Sequence, residues 1–108
     1  MPRWLPRLLS RIRALAAAGH VGFTDKASWE AQQIDLSRND VVQILGALAA
    51  RDDPRRLRSS VLDEWLYSFR PALPGLRLYV KVAIRTECVV ISCHEDQAEA
   101  QEEAHRDE

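Results

Sequence analysis

The sequence predicts an α+β protein in which N-terminal helices cover one face of a small antiparallel sheet. Three observations carry this. Apolar residues recur at helical spacing through the first half of the chain, and from Trp65 onward the recurrence changes to alternation. The stretch GLRLYVKVAIRTECVVISCHED, residues 75–96, then alternates long enough to require a hairpin. Leu76, Leu78, Val80, Val82 and Ile84 share one face of its first strand; Arg77, Tyr79, Lys81, Ala83 and Arg85 share the other.

The first helix is expected to start near Pro6, a residue suited to a first turn, and to stop at Gly19. Leu5, Leu8, Leu9, Ile12, Leu15 and Ala16 form its apolar side, and Arg3, Arg7 and Arg11 a stripe on the other. A short extended piece, HVGFT, leads to Thr24 or Asp25, either of which can cap a second helix through KASWEAQQI. The third helix has the fullest signature: Ser37 as N-cap, Asp40 three residues on, and Leu36 placed to staple Val41. It is expected to continue through Val42, Ile44, Leu45 and Leu48.

Pro54 breaks that pattern, and RDDPRRLRSS reads as a basic loop. In EWLYSFRP, Trp65, Tyr67 and Phe69 alternate toward the helices, sending Leu66, Ser68 and Arg70 to the open side of the sheet. A turn at Thr86-Glu87 would pair Val80 with Cys93, Val82 with Ile91 and Ile84 with Val89. A one-residue slip would bring Ser92 and His94 into the core, so the pattern selects this register.

With 108 residues, 46% of them hydrophobic, the chain is one domain, placed at residues 1–94. An acidic tail, EDQAEAQEEAHRDE, fills residues 95–108 and reads as solvated. The net charge of −1 hides segregation: the first twenty residues hold four Arg and no acid, while the tail holds seven acidic residues and one basic. A basic body suits a polyanionic partner. Cys88 and Cys93, five apart on one strand, are expected to face opposite sides and not to bridge, which reads as a reduced, cytoplasmic protein. No apolar run reaches the roughly 18 residues of a membrane span, so no membrane partner is expected.

In the expected register Tyr79 lies across from His94 and Lys81 across from Ser92. One open sheet face thus gathers Arg70, Arg77, Tyr79, Lys81 and His94, with Arg55, Arg56 and Arg58 entering from the preceding loop. The chain has thirteen Arg and only two Lys, so a Lys beside Tyr79 stands out. Such a set suits RNA cleavage without a metal: a base for the 2′-hydroxyl, cationic donors for the phosphorane, and a proton for the leaving oxygen. Imidazole is the side chain that most often serves as a general base, which makes His94 the expected one. The same residues also suit the wet side of a half-covered sheet. No zinc spacing, acidic cluster or Gly-rich phosphate loop is present in the pattern, and no metal or cofactor is expected.

Here the chain resembles the MqsR-type mRNA interferase toxins, within the wider RelE-like toxin fold. LLSRIRALAAAGHV looks like that family's opening helix, and LSRNDVVQILGAL its second helical segment. WLYSFRP, LYVKV and VVISCHED together resemble its C-terminal strands. The resemblance spans roughly residues 8–96. It implies a cytoplasmic toxin of a type II toxin–antitoxin system, an endoribonuclease that cleaves mRNA and is neutralised by a cognate antitoxin protein. By position it implies catalytic Tyr79, Lys81 and His94, with Arg55 or Arg56 as a basic RNA contact; Arg70 and Arg77 complete the expected phosphate-binding set. One departure is plain: the family's active-site Gln corresponds to Leu66, which cannot hydrogen-bond a base or phosphate. The alternative expectation is a catalytically silent RelE-like module that binds a protein partner or nucleic acid.

Overall fold

The computed structural model of the chain describes residues 1–97. Among these are three α-helices: α1 (Trp4–Ala17), α2 (Asp25–Gln33) and α3 (Arg38–Gly46). The strands are β1 (Val21–Phe23), β2 (Arg55–Arg58), β3 (Trp65–Phe69), β4 (Ala72–Leu73), β5 (Leu76–Ile84) and β6 (Cys88–Glu95). The fold is α+β. The sheet has the order β1-β6-β5-β3-β2, with β4 joined to β5 off that path. No helix among the described residues is long and apolar enough to cross a membrane.

In α1 the buried residues are Leu5, Leu8, Leu9, Ile12, Leu15 and Ala16, the side that the apolar spacing marks. The helix begins at Trp4, two residues before Pro6, because a proline anywhere in the first turn forfeits no intrahelical bond. Its end is a Schellman motif. Gly19 takes φ 75°, His20 N–H donates to the Leu15 carbonyl at 2.9 Å, and Gly19 N–H to Ala16 at 3.1 Å. In α3 the capping box forms in full, Ser37 N–H to Asp40 at 2.9 Å and Asp40 N–H to Ser37 Oγ at 3.1 Å. The helix stops at Gly46, short of the expected Leu48; Leu48 is buried beyond it, and its carbonyl accepts from Arg13 of α1 at 2.8 Å. Thr24, rather than Asp25, caps α2 through the Ala27 N–H.

Three expectations about the sheet need correction. The sheet is mixed, not purely antiparallel, because HVGFT supplies β1, which runs parallel to β6. Its ladder is extended by Cys88 N–H to His20 and Thr24 N–H to Val90, so it satisfies main-chain groups that an open β6 edge would leave unpaired. Next, the basic loop is a strand: β2 pairs with β3, Arg55 opposite Ser68, Arg56 opposite Tyr67 and Arg58 opposite Trp65. That splits the arginines, since residues facing each other across a ladder share a face. Arg55 stays on the open side, while Arg56 and Arg58 lie on the helix side.

The third correction concerns the hairpin. Tyr79–His94, Val80–Cys93 and Lys81–Ser92 pair as expected, but nearer the turn Val82 pairs with Val90 and Ile84 with Cys88. The turn holds three residues, Arg85 to Glu87, not two, and Ile91 is the extra residue of a β-bulge. Each departure shifts parity by one, and the two cancel. Cys88, Val90 and Cys93 therefore all enter the core, and the cysteines face the same side, not opposite ones. Both are free thiols; burial pushes Cys88 up to about 12 and Cys93 up to about 11, Glu30 adding to the latter.

The core also includes Ala27 and Ala31 of α2, and Val41, Leu45, Phe69, Leu78, Val80 and Val82. Truncating one such residue to Ala typically costs about 2–5 kcal/mol. β6 includes Glu95, and Asp96 just beyond it pairs with Arg70 and Arg77. Residues 98–108, the rest of the expected acidic tail, lie outside the described residues.

Candidate functional site

The open face is built by three adjacent strands. The registers of β3 on β5 and β5 on β6 align Ser68, Lys81 and Ser92 in one row, and Tyr79 and His94 in the next. Tyr79 and His94 stack, with ring centroids 5.1 Å apart and planes 21° from parallel. His94 Nδ1 lies 2.7 Å from the Glu95 carbonyl. A carbonyl oxygen only accepts, so Nδ1 carries the hydrogen and Nε2 keeps its lone pair. The imidazole is thereby held in the tautomer that presents a base at Nε2. Arg70 stands 5.2 Å over the Tyr79 ring, fixing the phenol from its other side.

Lys81 is half-buried between Ser68 and Ser92, which are themselves almost fully covered. It has no acidic partner among the described residues. A second ammonium, Lys26, reaches the same row from α2 and donates to Ser92 Oγ at 3.0 Å. Past the end of β1, the Cys93 N–H on the β6 edge would be orphaned, and Glu30 of α2 accepts from it at 3.1 Å. Glu30 also pairs with Lys26 at 3.5 Å, which sets the direction of the lysine. Lys26 escaped the sequence reading, although it is the chain's other Lys and sits in the first turn of a capped helix.

The arginines behave differently from expectation. Arg70 donates to Asp53 at 3.1 Å and to Asp96 at 3.3 Å. Arg55 approaches Asp53 at 3.6 Å, and Arg77 approaches Asp96 at 3.7 Å. The result is an alternating chain, Arg55–Asp53–Arg70–Asp96–Arg77, along one end of the open face. Asp53 holds its place through a left-handed backbone, φ 50°, after a 3-10 turn that Asp52 closes by accepting from Ala49 N–H. Neither aspartate was anticipated on this face. A left-handed non-glycine residue is invisible to hydropathy patterning, and Asp96 falls in a stretch read as tail.

Arg56 is absent from this face. Its guanidinium lies 4.1 Å over the Trp65 ring and 5.5 Å over the Trp4 ring, on the helix side. Arg58 also leans on Trp65, and pairs with Asp63 in the β2–β3 loop. The end of that loop is tied to β5 by Glu64, which receives Arg85 at 2.6 and 3.2 Å. Those contacts lower the Glu64 carboxyl below its usual range.

Beside the cationic rows the open face turns apolar. A cavity of about 460 Å³ lies among Leu57, Leu66, Val89 and Ile91, with Lys81 on its wall and Ser59 to Leu62 along its rim. Leu66 thus belongs to an apolar trough, and the bulge is what turns Val89 toward it. A larger cavity, about 710 Å³, opens between α3 and β4 and meets the site only through Arg70 and Arg77.

Chemically, the face offers a base at His94, the Tyr79 phenol on the ring stacked against it, two ammonium groups around Ser92 and an apolar trough of about 460 Å³. No family model matches the sequence, and no curated protein matches it.

Proposed function

We propose that the chain is a metal-independent endoribonuclease that cleaves mRNA, the toxin of a type II toxin–antitoxin pair with a RelE-like fold, as its resemblance to MqsR-type interferases implies. It acts in the cytoplasm and its protein partner is a cognate antitoxin. The observation that supports this most is the Tyr79–His94 stack beside Lys81, with His94 Nδ1 bonded to a carbonyl. In the proposed reaction His94 Nε2 takes the 2′-hydroxyl proton, and the 2′-oxygen attacks the adjacent phosphorus. Lys81 and Lys26 stabilise the extra negative charge of the phosphorane. Tyr79 donates a proton to the departing 5′-oxygen. The products are a 2′,3′-cyclic phosphate and a 5′-hydroxyl, so no water enters this step.

A second reading, a silent module that binds nucleic acid or protein, draws on two facts: Arg55, Arg70 and Arg77 are engaged by aspartates, and Leu66 offers no polar contact. One experiment separates the two. Purified protein is incubated with mRNA in EDTA and the ends are typed chemically. Cyclic phosphate ends are expected, with His94→Ala and Tyr79→Phe each slowing cleavage by about 10²–10⁴-fold, the usual contribution of a general acid or base. Intact RNA at all protein concentrations, or cleavage as fast in both variants as in the unsubstituted protein, discards the enzymatic reading.

A further inference from the structure

The helix-covered side of the sheet carries a second basic surface, at the edge where α1 meets β2 and β3. Arg3, the N-cap of α1, and Arg7 and Arg11 on the helix are exposed. They are four residues apart, so successive guanidinium groups advance about 6 Å along the helix, close to the length of one extended nucleotide. Below them a cavity of about 630 Å³ is walled by Trp4 and Tyr67, whose centroids are 5.7 Å apart, over Leu8 and Ile84. That volume lies in the range of about 300–1,000 Å³ typical of ligand pockets. Arg56 extends the surface onto β2, stacked between Trp4 and Trp65. A guanidinium held over rings is not neutralised by a carboxylate, so its charge and N–H groups stay available to phosphate oxygens. None of Arg3, Arg7, Arg11 and Arg56 has an acidic partner among the described residues.

We infer that this groove binds single-stranded nucleic acid, with phosphates along Arg3, Arg7, Arg11 and Arg56 and one base against Trp4 and Tyr67. Interleaved cations and rings are the usual combination for an unpaired strand, because every base has a face to stack and every nucleotide a phosphate to neutralise. A lipid surface fits less well. The apolar side of α1 is buried in the core, so the helix has nothing to insert, and the indoles are engaged by arginine. An acidic peptide would answer the arginines but leave the ring-walled cleft without a flat partner. The groove lies on the opposite face of the sheet from Tyr79 and His94, and its role does not depend on their chemistry.

The test uses the full chain and a short fluorescein-labelled oligodeoxynucleotide, read by anisotropy over a series of salt concentrations. Lacking 2′-hydroxyls, the probe reports binding alone, so failure of the cleavage reading leaves this measurement intact. Binding is expected to quench tryptophan emission, and the quench should shrink in Trp4→Phe. The triple variant Arg3→Gln, Arg7→Gln, Arg11→Gln keeps helix-forming residues. It should weaken binding more than tenfold at low salt and flatten the log–log salt slope by about 2, at about 0.7 per lost single-strand contact. Arg56→Gln, on a different element, should flatten it by about 0.7. Unchanged affinity and slope in both variants would overturn the assignment. So would polyglutamate or phosphatidylserine vesicles binding with this arginine dependence while the oligonucleotide does not bind.

Discussion

The two faces of the sheet use arginine in opposite ways. On the open face Arg55, Arg70 and Arg77 are laced together by Asp53 and Asp96, and Arg70 also lies over Tyr79. On the helix side Arg56 rests on two indoles, and Arg3, Arg7 and Arg11 meet no carboxylate among the described residues. A guanidinium between carboxylates has given up most of its charge to hold neighbours in place. One on a ring is held less firmly but keeps its charge for a ligand. Counting arginines therefore says little about where an anion binds; what each arginine touches says more. Among the described residues, the cation on the open face without a carboxylate partner is Lys81, not an arginine.

That contrast predicts different costs. Asp96→Asn should destabilise the protein by about 2 kcal/mol, since the carboxylate is nearly buried and shared by Arg70 and Arg77. For a domain of this size that lowers the melting temperature by roughly 10 °C, readable by thermal denaturation. Arg56→Gln should cost no more than about 1 kcal/mol, as exposed cation–π contacts are weak. Equal losses in the two variants would erase the distinction between laced and stacked arginines.

A second measurement addresses which side of β6 each residue faces. With burial holding both thiols far above their ordinary range, neither Cys88 nor Cys93 should react with a maleimide at pH 8 in the folded protein, and both should react in denaturant. Had the alternation run unbroken, Cys88 would sit on the open face and label readily. The same shift has a stability sign. A thiol raised in the folded state contributes its stability fully below the unfolded thiol pKa of about 8.5. That contribution is lost as pH rises through the folded values of about 11 and about 12. Melting temperature should therefore fall progressively from about pH 9 upward, and a flat profile to pH 11 would contradict the burial of these groups.

The smallest effect compares two left-handed aspartates. Asp35 (φ 59°) ends α2, its N–H bonded to Gln32, and its side chain makes no hydrogen bond or ion pair among the described residues. Asp35→Gly should stabilise by about 0.5–1 kcal/mol, because glycine takes this conformation without strain. Asp53→Gly relieves similar strain but frees Arg55 and Arg70, so chemical denaturation should show a net loss. A gain at both positions would mean that the charge lacing contributes nothing.

Much of this was legible before any coordinates. The six apolar positions of α1 follow from 3.6-residue spacing, the capping box of α3 from Ser37 and Asp40, and the Tyr79–His94 and Lys81–Ser92 pairs from alternation and the need to keep Ser92 and His94 out of the core. What failed to show has physical reasons. A three-residue strand such as β1 is too short for any period, and β2, exposed on both faces, has no alternation to detect. Lys26, Asp53 and Asp96 reach the site from a helix, a turn and a strand end, where spacing along the chain carries no information about neighbours in space. The misread middle of the hairpin left its far end correct, since the three-residue turn and the bulge shift parity in opposite directions.

That bulge works as a slip joint. Between Ile84–Cys88 and Lys81–Ser92 the ladder loses one residue of phase at Ile91, so the tip of the hairpin and the row of Tyr79 and His94 are not locked to a common count. In an unbroken ladder, a residue gained or lost in the Arg85–Glu87 turn would turn His94 to the wrong side of the sheet. Here the joint can absorb such a change by opening or closing, leaving the paired rings where they are. The residue count at the tip is thus decoupled from the face that His94 takes, although the tip is covalently only a few residues from the site.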